Sequence, residues 1–222
     1  MPPMTLKLVI GNKNYSSWSM RPWLALRASN IPFEEIFIPL YTDNPADKDR
    51  ILSFTGSGKV PCLIDGDVTV WDSLSIIEYV AERFPQAKLW PADRAARAHA
   101  RSISAEMHSG FLPLRNECGM NLHRPIGGVS LSADARANIA RIDQIWSECR
   151  ARHGQSGPFL FGAFGAADAM FAPVVHRFRT YAVDVSPVAK AYMETMQALP
   201  AFVEWTKAGL AETLVIEKFE TV

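Results

Sequence analysis

Between Pro85 and Pro91 the hydrophobic rhythm of the chain changes, and that change limits the available folds more than any other feature. Before it, apolar residues alternate over short runs bounded by turn residues, as strands do; after it, they recur at helical spacing and alternation nearly disappears. Two prolines around a polar stretch mark a linker. The sequence therefore predicts a small α/β domain at residues 1–84, a linker at 85–93 and an all-α domain at 94–222.

In the first part, TLKLVI (5–10) reads as a strand, WLALRAS (23–29) as helix with Pro22 in its first turn, and Asn30 with Pro32 as its stop. FEEIFIPL then reads as a strand, NPADKDRILSFT as a short helix, and VPCLID with VTVW as two strands turning at Asp65-Gly66. DSLSIIEYVAERF closes the region as an amphipathic helix with Ile76, Ile77, Val80 and Phe84 on one side. The order is β-α-β-α-β-β-α. In the second part, residues 94–118 read as one helix kinked at Pro113, Ser132 to Gly154 as a capped helix, and 166–181 as a helix apolar nearly all round. Ser186-Pro187 and Pro200 open two more.

Composition removes several function classes. The chain of 222 residues is 48% apolar and 21% charged, with 23 basic and 23 acidic side chains. This balance supports no argument for nucleic acid or an anionic membrane. No stretch approaches the roughly 20 apolar residues of a membrane span, and the opening run is too short for a signal peptide, so a cytoplasmic protein is expected. Cys62, Cys118 and Cys149 are too scattered for a disulfide framework or a CxxC site, and the five histidines show no paired spacing, so no metal is expected.

Three stretches have the makings of a site. NYSSWSMRPWL puts Ser16, Ser17 and Ser19 at the opening of the first helix, where unpaired N–H groups and partial positive charge stabilise an anion such as a thiolate. Capping requires one hydroxyl, and here there are three. GSGKVPCLID contains Pro61, which a strand tolerates at its start; a cis Val60-Pro61 bond would turn the Val60 backbone outward to pair with a peptide-like ligand. Its GSGK is no phosphate loop, because Val60 stands where Ser or Thr is required. VWDSLSIIEY places Asp72 and Ser73 at a strand-helix junction, offering a carboxylate to an ammonium, and a hydroxyl with helix N–H groups to a carboxylate. A ligand with a zwitterionic end, a peptide middle and a thiol would use all three.

With these residues in view, the sequence resembles the cytosolic glutathione transferase family, in its bacterial, zeta-like and serine-type branches. YSSWSMRPWLAL is similar to the zeta-class run S-S-C-S-x-R-x-x-x-A-L, GKVPCLIDG to the family's cis-proline loop, WDSLSIIEYVAERFP to its γ-glutamyl site, and GAADAMFAPVVHRF to its capping segment, with Asp168 as the aspartate. The resemblance implies a thioredoxin-like N-terminal domain, an all-helical C-terminal bundle, a homodimer, and glutathione as co-substrate in a detoxifying transfer to a mostly apolar electrophile. It implies that Ser16 donates to the glutathione sulfur with Ser17 in support. Lys59, Val60 and Pro61 would hold the tripeptide's middle and glycine end, and Asp72 and Ser73 its γ-glutamyl end. Trp18, Met107, His108, Phe111 and Arg115 are the candidates for the acceptor pocket. Trp18 stands where the zeta run has cysteine, and Gly165 where the capping segment has Ser or Thr. A maleylacetoacetate isomerase-like activity and a non-catalytic binding or regulatory module are the alternatives.

Overall fold

The computed structural model describes residues 5–220. Strand β1 (Leu6–Ile10) leads into helix α1 (Ser17–Ala28), strand β2 (Phe33–Phe37), helix α2 (Pro45–Phe54), strands β3 (Cys62–Asp65) and β4 (Val68–Trp71), and helix α3 (Ser73–Arg83). The strands form one mixed sheet in the order β2-β1-β3-β4, with β2 parallel to β1 and the rest antiparallel. Alternation along β1 explains how the sheet is covered on both sides. Leu6, Leu8 and Ile10 join the main core with α1 and α3, whereas Val9 packs with Ile38, Ile51 of α2 and Cys62 in a smaller cluster.

The two residues between paired Asp65 and Val68 are Gly66 and Asp67, with Gly66 at φ +64°. The hairpin thus turns one residue later than the dipeptide rule places it, because the glycine takes the first central position, where positive φ is needed.

Six α-helices follow among the described residues: α4 (Arg94–Ser109), α5 (Leu112–Glu117), α6 (Ala133–His153), α7 (Ala166–Thr180), α8 (Pro187–Ala198) and α9 (Pro200–Leu210). The single helix expected over 94–118 is two. The chain breaks at Gly110 and at Phe111, whose φ is +60°, and Pro113 sits in the first turn of α5 as an opener and not in mid-helix as a kink. Pro22 differs in the opposite sense. Because Ser16 caps α1 and Ser17 begins it, Pro22 lies inside the helix, where it has no N–H to give the carbonyl of Trp18. Among the described residues no helix is long and apolar enough to cross a membrane.

Helix α1 lies between the domains. It packs on α3 beside the sheet and on α7 and α9 of the bundle, and Trp23 meets Trp205 edge-on at 5.2 Å. Helix α7 is buried nearly all round. Its aspartate anchors the bundle: the Asp168 carboxylate, fully enclosed, accepts from Leu160 N at 3.1 Å, Gly165 N at 2.8 Å and the Tyr192 hydroxyl at 3.1 Å. Burial pushes the Asp168 carboxyl up to about 6. Gly165 contributes no cap of its own, so the aspartate supplies the reciprocal bond. Asp168→Ala, which would orphan three buried donors, is expected to cost about 2 to 5 kcal/mol in denaturant unfolding, and Asp168→Asn less, since one acceptor survives.

Candidate functional site

The loop from β1 to α1 is built without the turn chemistry of glycine. The Ser16 N–H donates to the Asn12 carbonyl at 2.7 Å, while the Asn12 side chain accepts from Leu40 N at 2.9 Å and that of Asn14 from Leu122 N at 2.6 Å. Two asparagines thus tie the loop to the chain after β2 and to the helical domain. Ser16 then caps α1. Its Oγ accepts from Ser19 N at 3.2 Å and its hydroxyl donates to Ser19 Oγ at 2.8 Å, which also accepts from Gly11 N at 3.1 Å. The three hydroxyls divide their work: Ser16 caps, Ser19 sits fully buried behind it, and Ser17 Oγ accepts from Arg177 Nη2 of α7 at 3.3 Å. Sequence reasoning gave Ser19 no role; its signal was the surplus of serines over what a cap requires.

Ser16, Trp18, Tyr41, Lys59 and Val60 line a single cavity of about 580 Å³. The Val60-Pro61 bond is cis. Val60 lies just outside the paired register of β3, which begins at Cys62. Beside this cavity a second, larger groove of about 880 Å³ runs between α3 and α4, with Asp72, Glu78, Trp90, Arg101 and His108 in its walls. Asp72 caps α3, accepting from Leu74 N at 2.9 Å, and its other oxygen is 2.9 Å from His108 Nε2. Its φ of +73° is a conformation that costs a non-glycine residue about 1 to 3 kcal/mol and that clusters at ligand sites. Next to it the Ser73 hydroxyl is buried with no hydrogen-bond partner among the described residues. An orphaned hydroxyl at the N-terminus of an eleven-residue helix is suited to a carboxylate.

The residues expected on the acceptor side separate into two kinds. Met107 and Phe111 are buried in the main core. His108 and Arg115 instead gather on Trp18: the His108 ring meets the indole edge-on at 5.3 Å, and the Arg115 guanidinium lies 4.5 Å from the indole centroid. Arg21, at the same 4.5 Å, was missed. It is fully buried, with Nε and Nη1 unpartnered among the described residues. Burial first, then Arg115 and Arg177, with Asp72 opposing them, bring the Arg21 guanidinium down to about 9. Arg177 is lowered to about 10, mainly by burial, and Arg115 is lowered by burial too. His108 is held below its ordinary value by burial, against the pull of Asp72. The clue in the sequence was a lone arginine inside the uncharged run SSWSM–PWLAL.

A sheet domain with a serine-capped first helix, a cis-proline loop and an Asp-Ser helix opening, followed by a helical bundle, defines a class, and the comparisons agree. Residues 15–83 match the glutathione S-transferase N-terminal domain and residues 115–208 the glutathione S-transferase C-terminal domain. The chain belongs to the glutathione S-transferase family. Within it, the chain is 31% identical to the maleylacetoacetate isomerase of Pseudomonas aeruginosa, over 94% of this chain and 99% of that protein. It is 27% identical to glutathione S-transferase Z1 of Arabidopsis thaliana, over 86% and 89%. Among solved structures, a bacterial zeta-class maleyl pyruvate isomerase superposes with a TM-score of 0.71 at 23% identity, covering 94% of this chain and all of that one. A Burkholderia glutathione transferase homologue with bound glutathione gives 0.67 at 23%, over 94% and 100%.

The cysteines are enclosed, although Cys62 directly follows the cis-proline. All three thiols are buried, and burial pushes Cys62 and Cys118 up to about 11 and Cys149 to about 12. The native protein should therefore show no fast-reacting thiol toward Ellman's reagent at pH 7, and three after denaturation. A fast native thiol would contradict this enclosure.

Proposed function

We propose that this glutathione S-transferase holds the glutathione thiolate at Ser16 and directs it onto an electrophilic small molecule lying against Trp18. One observation carries the reading. Ser16, at the N-terminus of α1, lines the same cavity as Val60 of the cis-proline loop. The tripeptide is held by residues 1–84, and residues 94–222 complete the acceptor pocket around Trp18, with 85–93 connecting the two domains.

The electrostatics suffice without a general base. A thiol of ordinary pKa, about 8.5, needs roughly 2.7 kcal/mol of preference for its anion to ionise about 2 units lower. One hydrogen bond to a charged acceptor supplies about 1.5 to 3 kcal/mol and a helix terminus about 0.3 to 1. In the structure the Ser16 hydroxyl donates to Ser19 Oγ. When sulfur arrives, the two hydroxyls rotate: Ser19 donates to Ser16, and Ser16 donates to the sulfur, each bond strengthening the next. Ser17 holds α1 against Arg177, a supporting role. The Val60 backbone pairs with the cysteinyl unit, the Ser73 hydroxyl and α3 N–H groups receive the γ-glutamyl carboxylate, Asp72 its ammonium, and Lys59 the glycine carboxylate.

The acceptor is part apolar and part anionic. Trp18 provides apolar surface, while Arg21 and Arg115 beside it favour a carboxylate-bearing molecule. This favours an isomerase of the maleylacetoacetate type as the second reading. There the thiolate would add to one carbon of a cis double bond, the resulting single bond would rotate, and elimination would return the thiolate and the trans product. In the transferase reading the new S–C bond persists and a leaving group departs. The protein acts as a cytoplasmic homodimer, joined across the α3–α4 groove and the exposed Trp71 beside it, in a detoxifying role.

Ser16→Ala should raise the pH of half-ionisation of bound glutathione, read by thiolate absorbance, by about 1 to 2 units, the value of one charged hydrogen bond. Ser17→Ala should leave that pH unchanged and cost about 1 kcal/mol of stability. The reverse pattern would move the sulfur to Ser17. Turnover of an aryl halide against maleylacetoacetate separates the two reactions, and failure to bind immobilised glutathione refutes both.

A further inference from the structure

The segment after α9 returns to the N-terminal domain, and its residues 216–220 lie beside the site. The Glu212 carboxylate accepts from the backbone N–H groups of Lys13 and Asn14 at 2.6 and 3.1 Å. Farther on, Ile216 is buried and its N–H donates to the Tyr15 hydroxyl at 3.4 Å. Tyr15 in turn donates to Glu220 Oε1 at 2.5 Å, and Asn121 Nδ2 donates to the same oxygen at 3.0 Å. The Phe219 ring stacks on Tyr15 at 5.5 Å between centroids and meets Tyr41 edge-on at 5.6 Å. Tyr15 immediately precedes the capping serine, and Tyr41 lines the Ser16 cavity. Residues 209–220 lie outside both family-matched stretches, which end at 83 and 208.

We propose that the C-terminal segment Ile216–Glu220 is part of the thiol site, with Glu220 and Phe219 as positioning residues that fix the β1–α1 loop, and through it Ser16, against the side wall at Tyr41. The proposal rests on the thiolate reading above. The loop has no regular structure, so its geometry is only as firm as the side chains that grip it, and the tail supplies the grip on Tyr15. Burial, together with the bond to Glu220, raises the Tyr15 phenol above its ordinary value. With its proton directed at the tail, Tyr15 anchors the loop and leaves the sulfur to Ser16. A hydrogen bond to sulfur weakens steeply with distance and angle, so a donor set on a loosened loop stabilises the anion less.

The test compares Glu220→Ala, Glu220→Gln, Phe219→Ala and a chain ending at Ile216 with the parent protein. Two readouts are used: thiolate absorbance of bound glutathione against pH, and amide exchange of residues 11–19 without ligand. Glu220→Ala, Phe219→Ala and the shortened chain should each raise the half-ionisation pH and lower kcat/KM about tenfold, the scale of a small misplacement, with faster exchange confined to the loop. Glu220→Gln, which keeps an acceptor for both donors, should recover most of the loss. If the parent fails to bind glutathione, the thiolate reading falls, and the exchange measurement still decides whether the tail holds the loop. Parent-like exchange and half-ionisation in Glu220→Ala and in the shortened chain would overturn the proposal. So would equally faster exchange throughout the protein, which would mark a general loss of stability.

Discussion

Helix α1 has almost no free surface, and the rest of the structure follows from that constraint. Nine of its residues are buried, and the helix serves both the sheet domain and the bundle as core. Its exposed residue is Arg27 at the C-terminal end, whereas its N-terminus forms part of the wall of the Ser16 cavity, where the first backbone N–H groups have no intrahelical carbonyl. A helix enclosed along most of its length, with its N-terminus at a cavity wall, is a fixed source of positive potential there. The serines, the cis-proline loop and the opening of α3 are arranged around that end. The domain interface and the candidate site are thus two consequences of the same packing, and the hydrogen bond from Arg177 to Ser17 adjoins both.

Positive charge is concentrated well beyond what neutral composition implies. Arg115 and Arg177 lie close enough to lower Arg21, Arg115 lowers Arg177 as well, and Asp72 is the carboxylate that offsets them at Arg21. Burying a guanidinium without a partner is costly, so its persistence needs a compensating anion or a functional return. A thiolate and a carboxylate-bearing acceptor would both provide one. The total charge of zero conceals this, because charge acts through its local arrangement and not through its sum.

Much of the fold was legible because its signals are local. Alternation in β1, the apolar face of α3 and the caps at Ser132 and Ser186 each depend on residues a few positions apart. The errors also have local causes. A proline rule placed Pro22 at a helix start, but tertiary burial extends α1 back to Ser17. The break at Phe111 depends on a left-handed backbone that no residue preference announces. In the site, Ser16, Val60 and Asp72 could be found because each lies at a junction with its own sequence signature. Arg177 and Glu220 could not, since their meaning comes from partners more than 150 positions away.

The contact of Trp18 with two guanidiniums bears on how this site can change. The negative face of an indole attracts cations by about 0.5 to 2 kcal/mol each, and here one ring serves Arg21 and Arg115 together. Returning Trp18 to the cysteine of the zeta run would leave two neighbouring cations in a poorly solvated wall with no π-surface to share. The tryptophan and the arginines are therefore coupled in sequence space: a lineage that alters one must alter the others, and a single exchange between the two kinds of site meets an electrostatic barrier.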